Sequence, residues 1–138
     1  MRKNVAVEEV MTQNVIVANV NNKLSQFLEF FNIYRIQHMP VTLGDVLVGI
    51  LSINDLLGFI SKNLLDGKPV DTASLDAQFD VQQIMTKHPI TISPDDTLEK
   101  AFSILAEGKF QALPVIKNGV LVGIITNKDL VRLYTQLL

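Results

Sequence analysis

The chain of 138 residues contains no cysteine, which excludes disulfides, thiolate chemistry and zinc–thiolate sites and is compatible with a reducing compartment. It has no surplus of positive charge. Twelve Lys and Arg stand against 14 Asp and Glu, no basic stripe occurs, and so a nucleic-acid partner is not expected. No apolar run reaches the length of about eighteen residues that reads as a membrane span. Met1-Arg2-Lys3-Asn4-Val5 leads into no signal-peptide-like apolar stretch. The expectation is a cytoplasmic chain without a membrane partner. A P-loop GxxxxGK[ST] is missing, as is any Ser-His-Asp or Cys-His set, so an enzyme is not expected. His38 and His88 are the two histidines, far apart and at non-equivalent positions. With no three or four grouped ligands, no metal site is expected. What is present is apolar content of 48%, enough for a buried core and against global disorder.

The dominant positive feature is a repeat. Residues 10–60 recur as residues 84–134 at a constant offset of 74 without a gap. Val10-Met11-Thr12 matches Ile84-Met85-Thr86, and Met39-Pro40-Val41 matches Leu113-Pro114-Val115. Val46-Leu47-Val48-Gly49-Ile50 matches Val120-Leu121-Val122-Gly123-Ile124, and Ser52-Ile53-Asn54-Asp55-Leu56 matches Thr126-Asn127-Lys128-Asp129-Leu130. Two long copies suggest a pseudo-twofold pair rather than a solenoid array. Each half, at about fifty residues, would be marginal alone. The organisation expected is a first repeat at 1–60, a connector at 61–80 and a second repeat at 81–138.

In copy one, residues 7–11 read as a short turn or helix and residues 15–17 as a brief strand. Leu24, Phe27, Leu28 and Phe31 recur at helical spacing, predicting a helix over 23–33 with Asn21-Asn22 as its cap. Met39 is biased towards extended structure by Pro40. A strand follows through Val41-Thr42. Gly44-Asp45 marks a hairpin, 46–51 the return strand, and Ser52 opens a helix to about residue 59. In copy two, Thr91-Ile92 is the short strand. Asp96 is the expected cap of a helix over 97–107 with Leu98, Ala101, Phe102 and Leu105 on one face, and Gly108 ends it. Asn118-Gly119 is the turn between strands at 113–116 and 120–125. A last helix runs from Thr126 to near Leu137. The connector is expected to be pinned by Leu64, Leu65, Val70, Leu75 and Phe79, since twenty structureless residues would be unusual. Each copy is thus β-α-β-β-α, an α+β fold.

The segments Gly49-Ile50-Leu51-Ser52-Ile53-Asn54-Asp55 and Gly123-Ile124-Ile125-Thr126-Asn127-Lys128-Asp129 carry the richest local pattern. Each is Gly-h-h-[Ser/Thr]-x-x-Asp where a strand becomes a helix. The glycine permits a close approach to the backbone. The hydroxyl sits at the start of a helix, which attracts phosphate. The aspartate can accept two hydrogen bonds from a ribose diol. The plain alternative is a capping box needing no ligand. Duplication in register, each copy behind a glycine and a hairpin, favours a shared functional design.

These motifs, with both Pro-Val pairs and both Val/Ile-Met-Thr triplets, resemble a tandem pair of CBS domains, a Bateman module. The resemblance implies two repeats packed through their sheets with pseudo-twofold symmetry and adenosyl ligands in two clefts between them. The implied ligands are AMP, ADP, ATP or S-adenosylmethionine, in some members NAD, with no obligatory cofactor; a bound nucleotide could bring magnesium. It assigns the ribose hydroxyls to Asp55 and Asp129 and phosphate to Ser52 and Thr126. The adenine pocket falls to Ile16, Val17 and Met39 in copy one and to Ile90, Thr91 and Leu113 in copy two. Arg35 and His38 are the basic residues before the first Pro-Val. Copy two retains only Lys109, because Ala112 replaces the histidine, so phosphate binding is expected to be stronger at copy one.

The helix at 53–60 is apolar almost all round, its twin at 127–137 is slightly more polar, and such helices need burial on more than one side. That predicts a homodimer through these helices. The expected role is a regulatory ligand sensor reporting to a separate effector protein. The alternative is a ligand-free dimerisation or protein-interaction scaffold.

Overall fold

The computed structural model describes residues 5–65 and 71–136, and side chains within 5–63 and 71–136. The expected α+β class and the two repeats are found, and the residues divide into two compact units. One comprises residues 16–88. The other joins residues 5–15 to residues 89–136. The cuts therefore fall inside the repeats, and each unit is assembled from both copies.

In the unit formed by residues 16–88, β1 (Ala18–Asn19) pairs in parallel with β2 (His38–Leu43). β2 forms an antiparallel hairpin with β3 (Val46–Ser52), and β4 (Thr86–Lys87) lies antiparallel on the far side of β3. The sheet order is β1-β2-β3-β4. The brief first strand lies at 18–19, not at 15–17: Val20 N–H donates to Thr42 O at 2.8 Å, drawing the chain against β2 beyond Ala18. Gly44 turns the hairpin at φ 61°, a conformation open to glycine without strain.

α1 (Leu24–Tyr34) connects β1 to β2 and buries Leu24, Phe27 and Phe31. Its cap differs from the one expected. Lys23 is the N-cap residue, and neither Asn21 nor Asn22 bonds the helix's first amides. Asp76 of α3 (Thr72–Gln78) performs that task from the connector, accepting from Ser25 N at 2.9 Å and from Ser25 Oγ. Leu75 is buried and Phe79 packs on the same core, where its ring meets Phe59 edge-on at 4.8 Å, as expected of the connector. Leu64 and Leu65, as side chains, and Val70 lie outside the described residues. α2 (Ile53–Leu65) follows β3 and runs beyond the expected end at residue 59.

The second unit repeats the plan. β5 (Ala112–Lys117) and β6 (Val120–Thr126) form the hairpin, with Asn118 at φ 51° and Gly119 at φ 79° in the two-residue turn. Ile92 bridges Val115 in parallel, and Thr12 bridges Ile124 antiparallel, occupying the places of β1 and β4. α4 (Leu98–Ala106) buries Leu98, Ala101 and Leu105, while Phe102 is exposed and Ile104 packs on the core instead. Its N-cap is Thr97, whose Oγ1 accepts from Lys100 N at 3.3 Å. Asp96 instead accepts from Ser93 N at 2.8 Å and tightens the preceding turn. Gly108, at φ 79°, donates its N–H to Leu105 O as the helix ends. α5 (Asn127–Gln136) follows β6; the predicted terminus at Leu137 lies outside the described residues.

Residues 5–12 belong to this second unit through main-chain bonds. Val7 N–H donates to Asp96 O at 2.8 Å, and Leu98 N–H donates to Val5 O at 2.8 Å. Thr12 and Ile124 exchange bonds of 2.8 and 3.0 Å. Val7 is fully buried among Ile92, Leu98, Leu113 and Ile125.

Candidate functional site

Each motif glycine sits under its unit's Met-Thr segment. A Cβ built on Gly49 would stand 2.5 Å from Met85 Sδ and 2.9 Å from Thr86 O. One on Gly123 would stand 2.5 Å from Met11 Sδ and 3.0 Å from Thr12 O. The group that approaches the glycine backbone is therefore the protein itself. The Val/Ile-Met-Thr and Gly motifs recur together because one packs on the other, each triplet on the hairpin of the other copy.

The strand–helix junctions come next. Ile53 N–H donates to Gln37 O at 2.9 Å, and Asn127 N–H donates to Gln111 O at 3.0 Å, so the first helical amide of each junction is taken by the loop before the hairpin. Ser52 Oγ accepts from Asp55 N at 3.0 Å, and Thr126 Oγ1 accepts from Asp129 N at 3.2 Å. Both hydroxyls thus cap their helices. In the first turn of α2 this leaves the Asn54 amide without a partner among the described residues.

The two carboxylates then diverge. Asp55 is exposed, and its carboxylate has no hydrogen-bond or ion-pair partner among the described residues. Asp129 is 7% exposed and fully engaged. Its Oδ2 accepts from Thr126 N at 2.9 Å and Thr126 Oγ1 at 3.1 Å. Its Oδ1 accepts from Thr12 Oγ1 at 3.2 Å and lies 3.7 Å from Arg132 Nη1. A carboxylate offers about four lone-pair positions, so little remains for another donor.

The other expected residues fall as follows. In residues 16–88, His38 is the cross-strand partner of Ser52 and is half-buried, which places it beside the head of α2. Arg35 is exposed and closes α1 in the left-handed region at φ 53°, two residues before the carbonyl that holds α2. Met39 is fully buried, its side chain in the core. Ile16 is half-buried and Val17 exposed just before β1. The parallel register of β1 on β2, extended upstream, sets Ile16 level with Met39. Ser52, Asp55, His38 and Arg35 therefore share one end of the hairpin. In the second unit, Leu113 is likewise fully buried, and Ile90, Thr91 and Lys109 are exposed. Thr12 and Arg132 were not among the expected residues. The repeat itself held a signal, since Arg132 corresponds to Gly58 and the two aspartates therefore have different neighbours three positions on. No group of three or more His, Cys, Asp or Glu that could hold a metal occurs among the described residues. No described helix is long and apolar enough to cross a membrane.

A family model for the CBS domain matches residues 7–62 and again residues 81–135. The chain belongs to the CBS-domain family. Among sequence relatives, the inosine-5'-monophosphate dehydrogenase of Korarchaeum cryptofilum is 30% identical over 88% of this chain. The chain spans only 23%, 42% and 25% of the lengths of three such relatives. Among solved structures, CBSX2 from Arabidopsis thaliana is 30% identical, with 98% of this chain and 97% of that chain covered at a TM-score of 0.79. A CBSX2 structure in complex with AMP matches at 28% identity and a TM-score of 0.77, covering 96% of this chain and 97% of that one. The CBS domain pair of protein MJ0100, in complex with 5'-methylthioadenosine and S-adenosyl-L-methionine, has a TM-score of 0.82 at 20% identity. It covers 98% of this chain and 99% of that chain and shows the shared fold.

Proposed function

We propose that this CBS pair is a regulatory module, not a catalyst, that binds an adenosyl ligand such as AMP, ADP, ATP or S-adenosylmethionine and signals its occupancy to a separate effector protein. The observation that carries this reading is the carboxylate of Asp55, unpartnered among the described residues and beside Ser52 at the head of α2, in a chain whose family relative CBSX2 is known in complex with AMP. A ribose diol supplies two O–H donors that suit a carboxylate with both oxygens open. Ser52 accepts from Asp55 N and keeps its own proton for a phosphate oxygen. Arg35, at the same end of the hairpin as His38, supplies positive charge on the phosphate side, and Ile16 and Val17 offer apolar surface to the base. Met39 is buried, so only its main chain could meet an adenine edge. Occupancy can be transmitted only through a difference in affinity between two states of the module.

Thermal denaturation with and without millimolar AMP, ADP, ATP or S-adenosylmethionine tests this. Ligand at 100-fold over its dissociation constant adds about 2.7 kcal/mol of stability. Asp55→Asn should weaken binding roughly 10- to 100-fold, the value of a charge-assisted bond. Unaltered melting with every ligand would favour the scaffold reading instead.

The same module is proposed to dimerise through α2 and α5. Leu56 and Leu130 face their own cores, while Leu57, Val131 and Tyr134 on the same helices are half or more exposed. Sedimentation at micromolar concentration should show a dimer, and Leu57→Glu with Val131→Glu should yield a monomer. A wild-type monomer would refute the contact.

A further inference from the structure

Resting on that ligand reading, we infer that the two repeats are unequal: Asp55 receives the ligand, whereas Asp129 is a clasp that fastens residues 7–12 to the head of α5. The module then takes one adenosyl ligand per chain, although the motif is present twice.

The two copies correspond at an offset of 74. Thr12 corresponds to Thr86, Thr126 to Ser52, Asp129 to Asp55 and Arg132 to Gly58. The main-chain frame is the same at both places, for Thr12 pairs with Ile124 as Thr86 pairs with Ile50. The side chains are not. Thr12 Oγ1 donates to Asp129 Oδ1 at 3.2 Å, a bond between residues 117 apart in sequence, whereas Thr86 makes no such bond to Asp55. Thr126 donates to Asp129 through both N–H and Oγ1, whereas Ser52 only accepts at its Oγ from Asp55 N. Arg132 adds a cation to the same carboxylate, and Gly58 has no side chain to do so.

A ribose approaching Asp129 would have to displace the Thr12 hydroxyl and compete with the Thr126 amide and hydroxyl. It would gain hydrogen bonds only by breaking those already made, so the exchange returns little. A ribose approaching Asp55 breaks no hydrogen bond or ion pair made by the described residues. The cross-strand neighbour follows the same division. The half-buried His38 stands opposite Ser52, and the corresponding partner of Thr126 is the buried Ala112. Thr12 and Arg132 are therefore positioning residues that withhold Asp129 from ligand, and Gly58 leaves Asp55 available.

Isothermal titration with AMP, and separately with S-adenosylmethionine, reads the stoichiometry. The expected result with the ligand that binds is one site per chain, with affinity reduced roughly tenfold or more by Asp55→Asn. Thr12→Val keeps the volume but removes the donor. It should leave that affinity within about twofold while lowering the melting temperature by a few degrees, the cost of a lost bond to a charged group. Asp55→Asn should not lower the melting temperature. Two equivalent sites per chain would overturn the inequality and leave the ligand reading standing. Loss of binding in Asp129→Asn with binding retained in Asp55→Asn would overturn the assignment of the two aspartates. No heat from either probe with the wild-type protein would overturn the assignment of Asp55 together with the ligand reading.

Discussion

Replacing Gly49 by alanine tests whether the Met-Thr segment and the glycine form one packing unit. Propensity alone favours the change, since a glycine inside a strand costs about 0.5–1 kcal/mol relative to alanine. The structure predicts the opposite sign. The new Cβ would stand 2.5 Å from Met85 Sδ and 2.9 Å from Thr86 O, both closer than atoms can pack. Met85 can swing its thioether aside, though it is 9% exposed within a filled core. The Thr86 carbonyl cannot move without disturbing the short strand β4, which pairs with β3 at this point. Overpacking of this kind costs about 1–3 kcal/mol. After the propensity gain, a net loss of about 1–2 kcal/mol remains, or roughly 4–8 °C of melting temperature for a domain of this size. Thermal denaturation followed by circular dichroism reads it directly. Met85→Ala alone should cost about 2–5 kcal/mol as a core truncation. The double variant should be more stable than the sum of the two losses by about 1 kcal/mol, since the smaller side chain relieves part of the clash. Gly58→Ala is the control: nothing lies within 4 Å of its Cβ position, so the helix should gain about 0.5–1 kcal/mol. A neutral or stabilising Gly49→Ala, or strict additivity with Met85→Ala, would refute the packing argument.

Two further substitutions read local strain and charge. Arg35 closes α1 at φ 53°, where glycine is favoured, so Arg35→Gly should stabilise the fold by up to about 1 kcal/mol yet weaken binding of phosphate-bearing ligands more than of S-adenosylmethionine; a destabilised variant would show that the arginine side chain contributes packing instead. The Ser93 amide, followed by Lys100, holds the Asp96 carboxyl below its ordinary value of 3.8. Its stabilisation is therefore complete above that value and lost as pH falls through the lower folded value. Asp96→Asn should lower the melting temperature slightly near neutrality, by no more than about 1 kcal/mol of stability, and the difference from wild type should close in acid; a difference that persists unchanged at about pH 2 would exclude the carboxylate as its source.

Much of the architecture was readable from local chemistry. The heptad-like spacing of Leu24, Phe27 and Phe31 marked α1, and Asn118-Gly119 and Gly44 marked both hairpins, because turns and amphipathic faces depend on residues near in sequence. The helix caps and the edge of one buried face differ from the expectation. Asn21 and Asn22 stood where a cap belongs, but the cap came from Asp76, fifty-one residues away from Ser25. Asp96 looked like the cap of α4, but Thr97 took the role and Asp96 turned back to Ser93. Phe102 matched the apolar spacing but lies at the edge of the buried face, where it is 39% exposed.

The sequence by itself determined the duplication, the order of elements in each copy, and the placing of a hydroxyl and an aspartate at both strand–helix junctions. These follow from spacing, turn residues and capping, all of which act within a few positions. Only the tertiary structure decided that Met11-Thr12 packs on Gly123 and Met85-Thr86 on Gly49, so that each hairpin is completed by the triplet of the other copy. The same pairing brings Thr12 to Asp129 and leaves Asp55 open among the described residues. Two aspartates with the same local motif differ because Thr12, 117 residues away, joins the neighbouring Thr126 and Arg132 on one carboxylate; the change from Gly58 to Arg132 is visible in the repeat, whereas the bond from Thr12 is a product of the fold.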